Sequence, residues 1–277
     1  MAQKSILITG CSSGIGYDAA HTLHKRGWRV FASCRQAKDV NRLKSEGLES
    51  LVLDYADETS IKAAVAQVFT ATNGALDALF NNGAYAIPAA TEDLPRDALR
   101  AIFEVNLFGQ FDLINQVLPT MKTAGNGRIV NCSSVLGIVA LPMRGAYCAT
   151  KFAMEAMTDA LRYENAKSGV RFISIQPGPI ATKIRENAIP HFEKWIDWEG
   201  SSQRQVYVEK LRPRLYEPKT SLDKFELMPD AVTKKLIHAL ESRSPKPRYK
   251  VTTPTYIAEA ARRILSKRML DRMFTGA

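Results

Sequence analysis

Six short apolar runs, at residues 4–9, 28–33, 51–53, 77–80, 128–131 and 170–175, alternate with longer stretches of mixed polarity. The short runs read as buried strands, and the longer ones, with apolar residues every three to four positions, as amphipathic helices. Helices are predicted over 15–26, 58–72, 97–122 and 145–167; in the first, Ile15, Ala19 and Leu23 share a face and Gly27 follows as a stop. Near-continuous apolar strands alternating with helices predict an α/β domain with a parallel sheet covered on both faces. Right-handed crossovers make that sheet doubly wound. Ligands of such sheets lie beyond the carboxyl ends of the strands, where the strand order reverses.

The pattern changes between residues 184 and 227, where Phe192, Trp195, Trp198, Tyr207, Tyr216 and Phe225 are interspersed with charge and broken by Pro190, Pro213 and Pro218. A long segment of this kind beside the binding edge predicts a substrate lid, with a purely stabilising helical decoration as the alternative. A C-terminal extension over about 254–277 contains a predicted helix, 255–274, with Ile257, Ala260, Ala261, Ile264 and Leu265 on one face. Arg262, Arg263, Lys267, Arg268 and Arg272 accompany it. A basic amphipathic helix suits peripheral contact with an anionic membrane; docking against the lid or a second subunit is the alternative.

Composition adds limits. The 277 residues, 45% of them hydrophobic, suit one packed domain over 1–277, without repeats or an interdomain linker. No apolar run approaches the ~18 residues a membrane span requires. The chain enters its first strand without a signal-peptide pattern, and Cys11, Cys34, Cys132 and Cys148 lack metal-ligand spacing. The expectation is a cytoplasmic protein with reduced thiols and no metal. Much of the net charge of +10 lies late in the chain, from Arg243 to Arg272, and would suit a nucleic acid, a membrane or an anionic cofactor alike; no nucleic-acid partner is expected.

Candidate chemistry begins where the first strand meets the first helix, at Thr9-Gly10-Cys11-Ser12-Ser13-Gly14-Ile15-Gly16. Glycines let the backbone approach a pyrophosphate, and a helix N-terminus offers free N–H groups and a favourable dipole. Gly10, Ser12, Ser13, Gly14 and Ile15 are therefore candidate cofactor contacts. The second strand ends at Ser33-Cys34-Arg35. An NAD site places a carboxylate there for the ribose hydroxyls. Neutral Cys34 followed by Arg35 favours a 2′-phosphate, hence NADP(H) over NAD(H), unless Arg35 is merely solvated. Asp54 either accepts a hydrogen bond from the adenine amine or caps the next helix.

Tyr147 and Lys151 are four residues apart, thirteen and seventeen residues after Ser134. Positions i and i+4 share a helix face, so the ammonium can lie beneath the phenol. A free phenol titrates near pH ~10, and an adjacent cation is expected to lower that value. Such a tyrosine exchanges protons with an alcohol or carbonyl.

Taken in order, these motifs resemble the short-chain dehydrogenase/reductase family over nearly the whole chain. The glycine turn matches at Gly10, Gly14 and Gly16, and Asp54 at the acid that contacts adenine. Asn106 in Val105-Asn106-Leu107-Phe108-Gly109 matches the asparagine supporting the active site. Ser134, Tyr147 and Lys151 match the catalytic set, with Ser133 a less well spaced alternative to Ser134. Ile180 and Thr182, in Pro177-Gly178-Pro179-Ile180-Ala181-Thr182, match the segment that holds the nicotinamide carboxamide. The family commonly has Asn-Asn-Ala-Gly after its fourth strand; this chain has Asn81-Asn82-Gly83-Ala84, keeping Asn82 as a cofactor contact but inverting the small pair.

The resemblance implies a Rossmann-type sheet of about seven strands. It implies NADP(H)-dependent interconversion of an alcohol and a carbonyl, with Tyr147 as general acid/base. In this mechanism Ser134 stabilises the oxyanion, Lys151 tunes Tyr147 and holds the ribose, and Asn106 fixes a water. The glycine-turn sequence and Lys246-Pro247-Arg248-Tyr249 are similar to the hydroxysteroid and retinol dehydrogenase branch and its bacterial relatives, implying a small lipophilic substrate. A homo-oligomer, dimer or tetramer, is also implied, with helices 97–122 and 145–167 as the faces. A 3-oxoacyl-thioester reductase and an idle NADP(H)-binding regulator are the alternatives.

Overall fold

The computed structural model describes residues 3–275. Seven parallel strands form one sheet: β1 (Ser5–Ile8), β2 (Arg29–Cys34), β3 (Glu49–Val52), β4 (Ala78–Asn81), β5 (Gly127–Cys132), β6 (Val170–Gln176) and β7 (Arg248–Lys250). Their order is β3-β2-β1-β4-β5-β6-β7, so the direction of winding reverses between β1 and β4. The register pairs Leu7 with Phe31 on one side and with Leu79 on the other. Helices α1 (Gly14–Lys25), α2 (Ala37–Ser45), α3 (Glu58–Thr72), α4 (Arg96–Phe103), α5 (Gly109–Thr123) and α6 (Gly145–Glu164) supply the crossovers. Then come α7 (Ile184–Trp195), α8 (Arg204–Val206), α9 (Arg212–Tyr216), α10 (Asp230–Glu241), α11 (Thr253–Ile264) and α12 (Lys267–Thr275).

Alternation of side chains splits the sheet's apolar residues between two cores. Ile6, Ile8, Phe80, Val130 and Ile173 pack with Ala19 and Leu23 of α1 and Val232 and Leu236 of α10. Leu7, Leu79, Ile129 and Phe172 pack with Val65 of α3, Ile114 of α5 and Met154 of α6. Each such large side chain contributes roughly 1.5–3 kcal/mol relative to exposure. The six predicted strands are all present; β7, three residues long, lies in the segment Lys246-Pro247-Arg248-Tyr249 and its neighbour Lys250.

Three elements differ from the sequence reading. The stretch 97–122 is interrupted by a π-helical turn over Glu104–Phe108, with Asn106 in its middle. Widened turns of this kind re-aim side chains at functional positions. The segment after β6 is more tightly packed than a loose lid: Phe192, Tyr207, Leu211 and Leu215 are buried in a third apolar cluster. Its distal part, with Leu222, Phe225 and Met228 exposed, stands more open. The C-terminal helix is two helices, because Leu265 is extended and the Ser266 hydroxyl accepts the Met269 N–H at the start of α12.

The buried face of α11 is also not the expected one. Thr255, Ala258 and Ala261 dock on the body, whereas Ile257 and Ile264 are 45% and 80% exposed. Small side chains let the helix backbone approach closely and leave the large apolar ones facing outward. Phe274 of α12 packs on Ile138 and Val139, just beyond Ser134.

Candidate active site

At the end of β1, Gly10 and Gly14 have φ of +68° and +60°, the left-handed region that glycine adopts without strain. A Cβ on Gly16 would lie 2.4 Å from the Gly10 carbonyl oxygen. The turn therefore folds back tightly onto α1. Ser13 precedes α1 in extended conformation, its side chain makes no capping bond, and no acid occupies the helix's first turn. The first N–H groups and the positive end of the helix dipole are left open, which fits a phosphate group. Ser12 and Ile15 flank this cradle. Arg42 of α2 donates to the Ser12 carbonyl at 2.7 Å, a contact the sequence reading missed because α2 carries no motif.

Thr182 covers the turn: its Cγ2 is 3.0 Å from the position of a Cβ on Gly14. The Ala181 N–H donates to the Leu227 carbonyl, and the Leu227 N–H to that of Pro179. Ile180 alternates with these residues, so its own N–H and C=O face the opposite way. Asn82 donates through Nδ2 to the carbonyls of Thr9 and Gly10, at 3.0 and 3.3 Å, and so ties β4 to the turn. Neither Gly83 nor Ala84 has a positive φ, so the inverted order of the pair carries no backbone strain.

Cys34 ends β2 as a buried residue, and burial pushes its thiol up to about 12, so this position is uncharged at neutral pH. Arg35 follows, exposed. The Asp54 carboxylate accepts the Ala56 N–H at 3.0 Å, while Asp57 caps α3 by accepting the Thr59 N–H. The capping alternative for Asp54 is thereby removed.

Ser134 lies two residues beyond β5 and accepts the Leu136 N–H through Oγ at 3.0 Å. Its hydroxyl also lies near that of Tyr147, close enough to favour the ionised phenol. The Ser133 hydroxyl points inward instead, 2.8 Å from where a Cβ on Gly137 would stand. Of the two serines, Ser134 is the one whose hydroxyl lies near Tyr147. One turn along α6 from Tyr147, Lys151 is fully buried and donates through Nζ to the Cys132 carbonyl at 2.8 Å. That nitrogen is 5.6 Å from the centroid of the Tyr147 ring.

The acidity of the phenol differs from the sequence expectation. Burial raises the Tyr147 pKa well above its ordinary value, with a smaller push from Cys132, and the nearby Ser134 hydroxyl only partly opposes this. Burial also pulls Lys151 down to about 8. The physical reason is the setting: Tyr147 lies in the apolar cluster with Ile87, Leu136, Ile189 and Phe192, which penalises a phenolate. The ammonium's hydrogen bonds run to the Cys132 carbonyl and, at 3.9 Å, to the Met154 sulfur rather than to the phenol oxygen.

Asn106 is fully buried and its amide is engaged: Nδ2 donates to the Tyr85 carbonyl at 2.8 Å, and Oδ1 accepts the Tyr85 N–H at 3.1 Å. Its side chain thus clamps the Tyr85 backbone. The Tyr85 ring stacks on His191 of α7, centroids 3.8 Å apart. Gln110 donates to the Gly83 carbonyl at 2.8 Å. Tyr85, His191 and Gln110 were not found by sequence reading, since their partners are distant in the chain.

A phosphate cradle at the reversal of a doubly wound sheet, beside a paired serine and tyrosine hydroxyl, defines a dinucleotide-dependent oxidoreductase. Comparison with known proteins narrows the class. The short chain dehydrogenase profile matches residues 4–192. The uncharacterized oxidoreductase YbbO of Escherichia coli is 36% identical over 275 residues, covering 99% of this chain and 95% of that protein. Retinol dehydrogenase 7 of Mus musculus is 34% identical over 256 residues, covering 90% of this chain and 80% of its own. A crystal structure of a short-chain dehydrogenase from Streptomyces avermitilis superposes with a TM-score of 0.78 at 25% identity, covering 99% and 97% of the two chains. The chain belongs to the short-chain dehydrogenase/reductase family, whose members bind a nicotinamide cofactor.

Proposed function

We propose that this protein is an NADP(H)-dependent oxidoreductase that interconverts an alcohol and a carbonyl on a lipophilic, steroid- or retinoid-like substrate. The observation that carries the reading is Tyr147 set in an apolar cluster with Ile87, Leu136, Met143, Ile189 and Phe192, with Lys151 Nζ 5.6 Å from its ring centroid and the Ser134 hydroxyl close by. The likeness to a retinol dehydrogenase supports the substrate class.

Gly10, Ser12, Ser13, Gly14 and Ile15 would hold the pyrophosphate, Arg35 the 2′-phosphate and Asp54 the adenine. Asn82, Ile180 and Thr182 would border the nicotinamide, with Tyr147 and Lys151 at its ribose. The bound cofactor supplies the hydride that reaches the carbonyl carbon. Tyr147, kept protonated by its surroundings, gives its proton to the developing alkoxide. Ser134 donates a hydrogen bond to the same oxygen, and this stabilisation grows as negative charge appears. Lys151, held by the Cys132 carbonyl, places a positive charge beneath the phenol as it loses its proton. Asn106 fixes the Tyr85 backbone at the edge of the site. Oxidation of an alcohol reverses these roles.

Two further features support partners. Ile257, Ile264, Met269 and Met273 stand exposed near Arg263, Arg268 and Arg272, an arrangement suited to an anionic lipid surface. Phe108 beside α5 and Tyr163 on α6 are exposed apolar residues on the stretches expected to form homo-oligomer faces. No described helix is long and apolar enough to cross a membrane. The reading keeps the protein in the cytoplasm, with lipid contact peripheral. Liposome pelleting, with and without residues 255–277, tests that contact; equal pelleting removes it.

The central test is turnover by Tyr147→Phe on aldehydes, ketosteroids, retinal and acetoacetyl thioesters. The rate is expected to fall by ~10²–10⁴-fold, with NADPH affinity within a few fold of wild type. Retention of more than about a tenth of the rate refutes the proton role. Activity confined to thioesters replaces the lipophilic substrate with an acyl-thioester one.

A further inference from the structure

Tyr55 lies between β3 and α3, outside the sites proposed above, yet it reaches beneath the glycine turn. Its ring is buried, and its hydroxyl is 2.7 Å from Thr9 Oγ1 and 2.7 Å from Asn81 Oδ1. An amide oxygen only accepts, so the phenol gives its single proton to Asn81 and receives that of Thr9. The Phe80 carbonyl, 3.3 Å from Thr9 Oγ1, is the more distant acceptor for the threonine proton. The Thr9 oxygen then uses its lone pairs for the N–H groups of Asn82 and Gly83, at 2.9 and 3.1 Å. Asn82, set by this contact, carries the glycine turn through its own bonds to Thr9 and Gly10. The phenol thus sets the direction of the string.

The other end of the string reaches the helix that bears Tyr147 and Lys151. Asn81 Nδ2 donates to Asn131 Oδ1 at 3.1 Å, and Asn131 Nδ2 to Thr158 Oγ1 at 2.9 Å on α6. The ring of Tyr55 adds a steric condition. A Cβ on Gly83 would stand 3.2 Å from Tyr55 Cε2, closer than most real contacts. Gly83 in turn lies 2.7 Å from the place a Cβ on Gly10 would occupy, so any displacement of Gly83 is passed to the turn.

We propose that Tyr55 is a positioning residue for the nicotinamide cofactor, acting through Thr9 and Asn82 on the glycine turn, and that Gly83 is its steric counterpart. An alanine at position 83 is disfavoured because the aromatic ring fills the space its methyl needs. This accounts for the inverted Gly83-Ala84 order. The proposal rests on the cofactor site assigned above, but not on the choice between NADPH and NADH.

The test is calorimetric titration of both cofactors, together with steady-state kinetics and thermal melts, on four variants. These are Tyr55→Phe, Gly83→Ala, Tyr55→Val, and the double variant that combines Tyr55→Val with Gly83→Ala. Tyr55→Phe removes both buried hydrogen bonds of the phenol, to Asn81 and from Thr9, and is expected to raise the Kd of the better cofactor about tenfold. Its kcat at saturating cofactor should stay within about threefold of wild type. Gly83→Ala should weaken cofactor binding in the wild-type background and cost clearly less in the Tyr55→Val background, where the ring is gone. A lower melting temperature with unchanged cofactor Kd in Tyr55→Phe makes the residue structural only and overturns the first half. Equal costs of Gly83→Ala in both backgrounds overturn the second. Wild-type protein that binds neither cofactor refutes the cofactor site itself, a distinct result.

Discussion

Asn106 grips Tyr85 by both of its backbone polar groups, and the Tyr85 ring stacks on His191. A residue from a π-helical turn is thereby connected, through one aromatic side chain, to helix α7. Helix α7 and the π-helical turn share a fixed boundary at this point.

Replacing Asn106 with Leu should leave the Tyr85 N–H and C=O buried without partners, at a cost of about 1–3 kcal/mol per group. The expected result is a lowered melting temperature together with a raised substrate KM. Unaltered substrate KM in a destabilised variant would show that Tyr85 does not border the substrate.

Arg35 is the residue on which the proposed preference for NADP(H) rests. Arg35→Ser should raise the KM for NADPH by about 10- to 100-fold, as expected for a lost charge-assisted contact of about 1.5–3 kcal/mol, while hardly changing that for NADH. Equal use of the two cofactors by the wild-type protein would remove the 2′-phosphate reading. The measurement is initial rates against each cofactor.

Lys151 gives a pH signature. Burial holds its pKa at about 8, below the ordinary value for lysine. The ammonium form should therefore dominate below that pH, and kcat/KM for the cofactor, which reports free-enzyme ionisations, should fall above it. Lys151→Arg keeps its charge and should lose that break, though at a lower overall rate. The stability contribution has the opposite slope. Between about 8 and ~10.4 the unfolded chain holds the proton and the folded one does not, so this group's share of folding stability rises with pH.

Tyr207 anchors the segment that follows β6. It is fully buried, donates to Asp93 Oδ2 at 2.6 Å and accepts the Ala90 N–H at 2.8 Å. Tyr207→Phe should cost about 1–3 kcal/mol, read as a lower midpoint in urea denaturation. Cofactor Kd should be unchanged, because the residue lies away from the glycine turn.

Much of this architecture was legible because it depends on short-range constraints. The glycine turn needs left-handed backbone at Gly10 and Gly14, and Tyr147 and Lys151 need only helical spacing; both leave local marks in the chain. The missed features depend on contacts between distant segments. Tyr55 meets Asn81 across 26 residues and Thr9 across 46, with no local pattern to announce either. The acidity of Tyr147 was misread for the same reason: spacing reveals the nearby lysine but not the apolar side chains that bury the phenol. The break at Leu265 and the outward placing of Ile264 follow from how closely α11 packs, which hydrophobic periodicity does not contain.

The packing of Phe274 against Ile138 and Val139 has a practical consequence for handling the protein. A purification tag fused beyond α12 would emerge beside the loop that follows Ser134 and could obstruct the mouth of the site. One fused ahead of β1 would leave from the amino ends of the strands, at the far pole of the sheet. Assays of bulky substrates are best made with the leading-end fusion.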